Sequence, residues 1–400
     1  MRPACPAFAI ILLGALLLPS DARSSRDDTA DVTLIGRAVL PAATFAPGPP
    51  SGRYRDATLR AAAAPFASQP VQGVSSIKPG PQANTWWALS DNGFATKWNS
   101  SDYRLALYLF RASSGSRDVE LLRRIELRDP QGRFPYRLTE ESDVTRPLTG
   151  ADVDPESLVV LPDGTFWIGD EFGPWLLHFS ADGELLEPPY EAGENDAQPA
   201  LRSIDHPRVL AGLSTATVRA SSGFEGLVLS SDGQHLLAML EKPLIGAAEQ
   251  HVPILEFSLE QRRFTGRRWS YPLDHENHVV RELARHSGTA LLAIENDDLQ
   301  GDAAAVKRIY RVDLAQPQAG GRLSKQLQVD LLSIRDPRRL GPQDASVPFR
   351  FPFVTIEAVH ALDARTLLVV NDNNFPSVGA RGEGLPNDTE WIWLRLPRPR

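Results

Sequence analysis

Short apolar runs, separated by turn residues, follow one another along most of this 400-residue chain. Residues 154–174, DPESLVVLPDGTFWIGDEFGP, show the pattern most clearly, with two apolar runs on either side of a Pro-Asp-Gly turn. Short runs rich in Val, Ile, Leu and Trp are typical of β-strands, and the turn between them predicts a hairpin. Carboxylates stand at both open ends of this hairpin: Glu156 before the first run, and Asp170 and Glu171 after the second.

The hairpin pattern recurs along the chain, in residues 72–93, 154–174, 224–243, 280–298 and 356–374. In the three clearest copies a glutamate precedes the first run, and the centre of the turn follows eight positions later; these are Glu156, Glu225 and Glu357. Gln72 keeps this spacing to Gly80 in the first copy, and the fourth copy has no glutamate at the aligned position. A repeated supersecondary unit predicts a repeat architecture.

Further strand-like runs lie between the copies, so that each unit has about four short strands, which is typical of a β-propeller. We therefore predict an all-β fold with five four-stranded blades, and six blades remain an alternative because the copies are unevenly spaced. The last unit lacks a fourth strand at the C-terminus, whereas residues 31–40, DVTLIGRAVL, form a spare strand near the N-terminus. We expect this spare strand to complete the last blade by pairing with EWIWLRL, residues 390–396.

The N-terminus predicts export. Arg2 is followed by an apolar segment and by a small-residue cleavage pattern around Ser20 to Ala22, which is typical of a secretory signal peptide. We expect residues 1–22 to be removed and residues 23–400 to form one periplasmic or secreted domain; an uncleaved membrane anchor is the alternative. The only cysteine, Cys5, lies in the leader, so the mature chain would hold no disulfide, thiolate metal site or cysteine nucleophile.

Composition narrows the class of partner. The formal net charge of −8 gives no basic footprint for nucleic acid. No segment after the leader predicts a membrane span. We therefore expect no nucleic-acid partner and no membrane attachment after cleavage. We also predict a monomer whose partner is a small-molecule phosphoester or ester.

In a propeller the first strand of each unit lines the central channel, so its start and the end of the second strand meet on one face near the axis. The acidic residues at these positions are Glu156, Asp170, Glu171, Glu225, Glu241, Glu295, Asp297, Glu357 and Asp372. Like charges at close range raise one another's pKa values. Such a ring must be protonated, paired with Lys242 or an arginine, or neutralised by a cation. Alternatively, individual acids cap backbone amides or join blades by salt bridges.

Calcium suits this ring because Ca²⁺ prefers carboxylate and amide oxygens, and asparagines such as Asn92 and Asn296 stand beside the acids. We predict Ca²⁺ ligands at Asp170, Glu171, Glu225, Glu241, Glu295, Asp297 and Asp372. We assign catalytic roles to three further residues: Glu156 and Glu357, either as metal ligands or as bases oriented toward bound water, and Lys242 as a phosphate contact. Lys97 and Arg137 are additional candidates for phosphate contacts.

Several motifs together resemble one known family. LTGADVDPES, FWIGDEFGPWLLHFSADGELL, GFEGLVLSSDG, LEKPL and IEAVHAL…LLVVNDNN are similar to the family called esterase-like activity of phytase, found in exported bacterial proteins. The resemblance covers the chain from about Val71 to Trp393 and implies hydrolysis of a phosphoester or ester.

Three functions follow as hypotheses. The first is an exported, metal-assisted hydrolase of a phosphoester. The second is a calcium-dependent lactonase or carboxylesterase propeller, and the third is a propeller that binds a ligand or protein without catalysis. Closely spaced ions with basic neighbours would favour the first, and one ion in an apolar pocket would favour the second. The serine-hydrolase elbow G-x-S-x-G and the zinc motif H-E-x-x-H do not occur in the sequence.

Overall fold

The computed structural model describes residues 32–55, 63–193, 200–344 and 347–398. The described part of the chain starts with strand β1 (Thr33–Leu40) and a two-stranded ribbon, β2 (Phe45–Ala46) with β3 (Gln69–Pro70). The predicted leader, residues 1–22, lies outside the described residues.

The remaining strands form, in the described ranges, five four-stranded antiparallel sheets, here called blades 1 to 5. Blade 1 contains β4 (Val74–Pro79), β5 (Thr85–Ser90), β6 (Ala106–Arg111) and β7 (Glu120–Glu126). Blade 2 contains β8 (Pro155–Val160), β9 (Phe166–Asp170), β10 (Trp175–Phe179) and β11 (Tyr190–Glu191), and is followed by the one-turn helix α1 (Pro207–Leu210). Blade 3 contains β12 (Phe224–Leu229), β13 (His235–Leu240), β14 (His251–Ser258) and β15 (Arg263–Pro272). Blade 4 contains β16 (Val279–Ser287), β17 (Ala290–Asn296), β18 (Lys307–Asp313) and β19 (Lys325–Asp330). Blade 5 contains β20 (Thr355–Asp363), β21 (Thr366–Asp372) and β22 (Thr389–Arg395), together with β1.

The predicted five-bladed propeller is confirmed, and the alternative of six blades is excluded. Each predicted hairpin supplies the first two strands of one blade. The first strands contact one another around the ring in the order β4, β8, β12, β16, β20 and back to β4, so they line the central channel. Two short 3₁₀ turns, Gly301–Ala303 and Ala319–Gly321, and α1 are the helical segments of the described ranges, and none is long and apolar enough to cross a membrane.

The predicted closure of the ring is also confirmed. β1 pairs antiparallel with β22, with Leu34 opposite Leu394 and Ala38 opposite Trp391. Buried and partly exposed residues alternate along β1, as expected for a strand with one face on the core. The backbone of Val39 also bonds to Arg117 and Val119 of blade 1, so β1 joins the last blade to the first.

The hydrophobic core is divided into layers between neighbouring blades. Large aromatic side chains fill these layers; Trp391 of blade 5, for example, is fully buried, with its ring centroid 5.8 Å from that of Phe110 in blade 1. Such aromatic pairs bury much area in a fixed geometry, so they set the angle between blades. This packing holds the first strands around the axis, where the candidate site forms.

One glycine of β1 tests how closely this strand packs on blade 1. A Cβ at Gly36 would lie 2.5 Å from the carbonyl oxygen and 2.6 Å from the Cα of Ser114, which are backbone atoms that cannot swing away. Gly36→Ala should therefore destabilise the protein by about 1–3 kcal/mol, measured by denaturant unfolding. The control is Gly115→Ala, where a new Cβ would meet only Ser113 Oγ, at 3.9 Å. Equal stability of the two variants would contradict close packing at the closure.

Candidate active site and metal centre

Each innermost strand is interrupted by a β-bulge near the same end. The register shifts between Val74 and Ser76, Pro155 and Ser157, Phe224 and Gly226, Val280 and Leu283, and Ile356 and Ala358. A bulge leaves an extra residue outside the ladder and re-aims its side chain. The residues at the bulges, here called the inner ring, are Ser75, Glu156, Glu225, Arg281 and Glu357. Carboxylate oxygens of the three glutamates lie within 4.8 Å of one another, although they belong to three different blades.

A second set of residues stands at the end of each second strand. In each blade, the first-strand residue just before the bulge pairs with a residue of the second strand, and the residue after that partner belongs to this set. The five positions are therefore structurally equivalent. This outer ring consists of Asp91, Glu171, Glu241, Asn296 and Asp372. Glu171 also joins a second acidic group, in which oxygens of Asp154, Glu156 and Glu171 lie within 4.8 Å of one another. Glu156 thus belongs to both groups.

Two positions of the inner ring differ from the sequence alignment. Gln72, aligned with Glu156 by its spacing to Gly80, is not the equivalent residue, because the bulge of blade 1 is at Ser75. Gln72 instead donates hydrogen bonds to Asp91 Oδ1 (3.0 Å) and to the carbonyl of Gly93 (2.8 Å). In blade 4 the missing glutamate is replaced by a cation, Arg281.

Arg281 partly neutralises the rings. Its Nη1 lies 2.8 Å from Glu241, 3.1 Å from Glu225 and 3.6 Å from Glu357, and its Nη2 lies 3.2 Å from Asp298. Burial alone would lower the pKa of Arg281, but these carboxylates raise it well above its usual value. The guanidinium is therefore a permanent positive charge in the sector between blades 3, 4 and 5.

The acids of the rings outnumber this one arginine. Burial raises the pKa of Glu225 to about 8, with the charge of Glu241 adding to the rise and that of Arg281 opposing it. Burial also raises the pKa values of Asp154 and Asp372 to about 6. The pKa values of Glu156, Glu171 and Glu357 are also raised well above their usual range, by burial first. These groups therefore keep their protons to a higher pH than ordinary carboxylates do, and a cation bound among them would compete with those protons.

The donor set fits a hard metal ion. Buried oxygen atoms remain without a hydrogen-bond partner in Glu171 (Oε1), Glu225 (Oε2), Asn92 (Oδ1) and Asn296 (Oδ1). A buried acceptor without a partner is costly unless something else satisfies it. Carboxylate and amide oxygens are the ligands of Ca²⁺ and Mg²⁺, whereas Zn²⁺ prefers nitrogen and sulfur. The two acidic groups that share Glu156 could therefore hold a metal ion.

Three of the predicted ligands lie outside this cluster. Asp170 is buried beside it but accepts hydrogen bonds from the backbone of Asp154 (2.8 Å) and Gly173 (2.5 Å), so it shapes the loop that carries Glu171. Glu295 is held by Lys325 (2.5 Å), His278 (2.8 Å) and the hydroxyl of Tyr271 (2.9 Å). Asp297 is held by Lys307 (3.0 Å) and two backbone amides.

The other predicted residues lie in or near the mouth of the channel. Glu171, Glu225, Glu241 and Asp372 are in the two rings with Glu156 and Glu357, as described above. Lys242 lies 3.4 Å from Glu241 and lines a cleft of about 580 Å³. The sequence reasoning missed Asp91, Asp154 and Arg281. Asp154 could have been found from its place two residues before Glu156 in DPES, and Arg281 from a cation within the apolar run VVREL.

The chain is similar to known proteins at three levels. The family model "Phytase-like: Esterase-like activity of phytase" matches residues 69–375. A protein of Arthroderma benhamiae described as an uncharacterized secreted protein is 32% identical over 102 residues, which are 23% of this chain and 20% of the relative. The match therefore spans about one fifth of that relative's length.

Among solved structures, a PQQ-bound aldose sugar dehydrogenase from Streptomyces coelicolor is 12% identical, with a TM-score of 0.35, over 92% of this chain and 99% of that chain. A luciferin-regenerating enzyme is also 12% identical, with a TM-score of 0.37, over 80% and 77% of the two chains. At these low scores, we draw no argument about function from either structure.

The raised pKa values predict how stability depends on pH in the metal-free protein. Folding raises the pKa of Asp154 and Asp372 to about 6, of Asp170 to about 7 and of Glu225 to about 8, so the folded state binds protons more tightly than the unfolded state does. This contribution is complete below the usual values of 3.8 and 4.5 and is lost as the pH rises through about 6 to 8. In chelator, the melting temperature should fall between pH 5 and pH 8.5, and a bound divalent cation should flatten the fall. A chelated protein that is equally stable at both pH values would contradict the raised pKa values of these buried carboxyl groups.

Arg281→Gln should remove the internal counter-charge. Losing one partner of a buried ion pair costs about 3–5 kcal/mol, measured by urea unfolding at pH 7.5 in chelator. Because the loss comes from repulsion, lowering the pH to 5.5 or adding calcium should recover part of it. The control is Arg285→Gln, on the exposed side of the same strand. If both variants lose the same stability, Arg281 does not balance the rings.

Proposed function

The chain belongs to the phytase-like family, described as esterase-like activity of phytase, and from that premise we propose that it is an exported, metal-assisted hydrolase whose substrate is a phosphoester. The observation that carries the proposal is the cluster of buried acids at the channel mouth. These acids outnumber the single arginine among them, Arg281, and some of their carboxylate oxygens have no hydrogen-bond partner. The proposal takes the cation to be Ca²⁺ and the protein to be a monomer acting on a small molecule. The secreted relative supports export.

The residues divide into two roles. Glu171, Glu225, Asp154 and Asp372, with the amide oxygens of neighbouring asparagines, would hold the cation. When bound, Ca²⁺ would neutralise phosphoryl oxygens and make a bound water more acidic. Glu156 and Glu357 stand next to these ligands, and burial raises their pKa values well above the usual range, so each would be a stronger proton acceptor than an ordinary carboxylate.

Two features favour a phosphoester over a carboxylic ester. The two acidic groups sharing Glu156 offer adjacent positions for cations, and an anionic substrate needs positive charge to approach an acidic mouth. Basic side chains stand around the acids: Arg281 within the rings, Lys242 beside Glu241, and Lys97 near Asp154 and Asp170. The carboxylesterase or lactonase hypothesis is the second candidate, favoured by the family's description as esterase-like.

A paired substitution tests the metal site directly. Glu171→Gln with Glu225→Gln keeps the shape of both side chains and removes two charges at the oxygens without partners. The variant should fold, lose at least about tenfold in calcium affinity, measured by calorimetry, and lose calcium-dependent hydrolysis of p-nitrophenyl phosphate.

The matched control is Glu282→Gln. Glu282 is buried and lies on a first strand, but it pairs with Lys78 and Ser76 below the rings. This control should keep calcium binding even if its stability changes. Unchanged calcium affinity in a folded Glu171/Glu225 variant would contradict the proposal.

A further inference from the structure

An aromatic cleft lies beside the acid cluster. Its volume is about 840 Å³, and three long connections on the mouth face build it: the loop after β5 with Trp98, the loop between β7 and β8 with Phe134 and Tyr136, and helix α1 with Leu210. Concave sites of this size, with mainly apolar walls and a few polar groups, are typical of small-molecule binding.

One wall of the cleft is rigid. The ring of Tyr136 stacks on Trp175 with centroids 5.6 Å apart and an interplanar angle of 23°, and its hydroxyl donates to Glu191 at 3.3 Å. Phe134 packs edge-on against the same tryptophan at 5.2 Å. Glu191 is itself held by Arg202 (2.7 Å). These contacts fix the aromatic faces before any ligand arrives, which lowers the entropic cost of binding.

Another part of the cleft wall is exposed. The indole of Trp98 is 69% accessible to solvent, although a tryptophan gains much free energy from burial. A large flat side chain at a cleft, facing open space, offers a stacking surface that this structure leaves uncovered.

Two residues that line the cleft, Lys97 and Asp152, lie near the acids. Lys97 lines the cleft, and its ammonium lies 4.6 Å above the ring of Phe172, the residue after Glu171. Asp152 also lines the cleft, and two residues further along the chain Asp154 joins Glu156 and Glu171 in the acidic group. A ligand in the cleft can therefore extend past one positive charge to the proposed metal centre.

We propose that this cleft binds a flat aromatic leaving group, so that the preferred substrate is the phosphoester of an aromatic alcohol, with its phosphoryl group at Lys97 and the acidic rings. The inference rests on the proposed function for its chemistry. The aromatic walls supply the affinity for the organic part, and Lys97 supplies charge complementary to the phosphoryl part.

Substitution of Trp98 tests the cleft in the full-length, calcium-loaded protein. Trp98→Ala should raise the KM for phenyl phosphate by about 3- to 10-fold, with little change in kcat and little change in the KM for methyl phosphate. Trp98→Phe should restore most of the loss, because a ring is still present. Leu362→Ala is the control, since Leu362 is 45% exposed near the hairpin turn of blade 5, on the opposite face, and should leave all constants unchanged.

Direct binding separates this inference from the proposed function. Phenylphosphonate, which has no ester bond to hydrolyse, should bind more tightly than methylphosphonate by calorimetry, and Trp98→Ala should remove the difference. If phenylphosphonate binds more tightly in this way but the protein hydrolyses no ester, the aromatic binding site is supported and the proposed function is overturned. If the protein hydrolyses phenyl and methyl phosphate with equal kcat and KM, and Trp98→Ala changes neither, the aromatic binding site is overturned and the proposed function stands. A preference for glucose 1-phosphate over phenyl phosphate that depends on Trp98 would also overturn the aromatic assignment.

Discussion

The pairing of β1 with β22 is the constraint on which the other features depend, because it keeps five blades around a single axis against electrostatic repulsion at their centre. Glu390, at the start of β22, reinforces the pairing: it is buried and accepts from Arg37 of β1 (2.8 Å) and from Arg381 (2.7 Å). Despite its burial, these arginines lower its pKa, so this carboxylate remains charged. Hydrophobic layers between blades act in the same direction. The molecule can therefore concentrate like charges at the mouth without the ring opening.

Charge is layered along the channel. The outer ring is acidic in four of its five positions, the inner ring mixes three glutamates with Arg281, and the next level contains Glu282. Glu282 reaches across the bore from blade 4 to Ser76 (3.0 Å) and Lys78 (3.3 Å) of blade 1, two blades that are not neighbours in the ring. The bulge of β16 thus directs two consecutive residues of opposite charge to different levels. This bridge spans the bore beneath the cluster, so a ligand approaches from the loop-covered mouth.

Turn signals and short apolar runs were enough to predict the fold, including the blade number and the partner of β1. The site was harder to predict, because an error of one residue in aligning two strands places a side chain on the opposite face of the sheet. The first hairpin was aligned with the others on Gly80. In blades 2 and 3 the turn residue with positive φ is Gly164 or Gly233, and in blade 1 the residue with positive φ is Asn84, not Gly80. In blade 4 the acids Glu295 and Asp297 were chosen by type, whereas the residue at the axial position is Asn296. A bulge leaves no local signal of its own, so Ser75 required the structure, whereas the cation within the apolar run VVREL was a signal for Arg281.

Both rings take one residue from every blade, and this has a consequence for how the protein folds. The strands that close the ring are far apart in sequence; Arg37 and Glu390, for example, are separated by 353 positions. Contacts of such separation form late and slowly because long loops must close first. During synthesis the N-terminal strand emerges first, yet it has no partner until the last blade has been made. The group of Glu156, Glu225 and Glu357 therefore forms only once blade 5 has been made, whereas Asp154, Glu156 and Glu171 all lie at the end of one hairpin in blade 2 and can meet earlier.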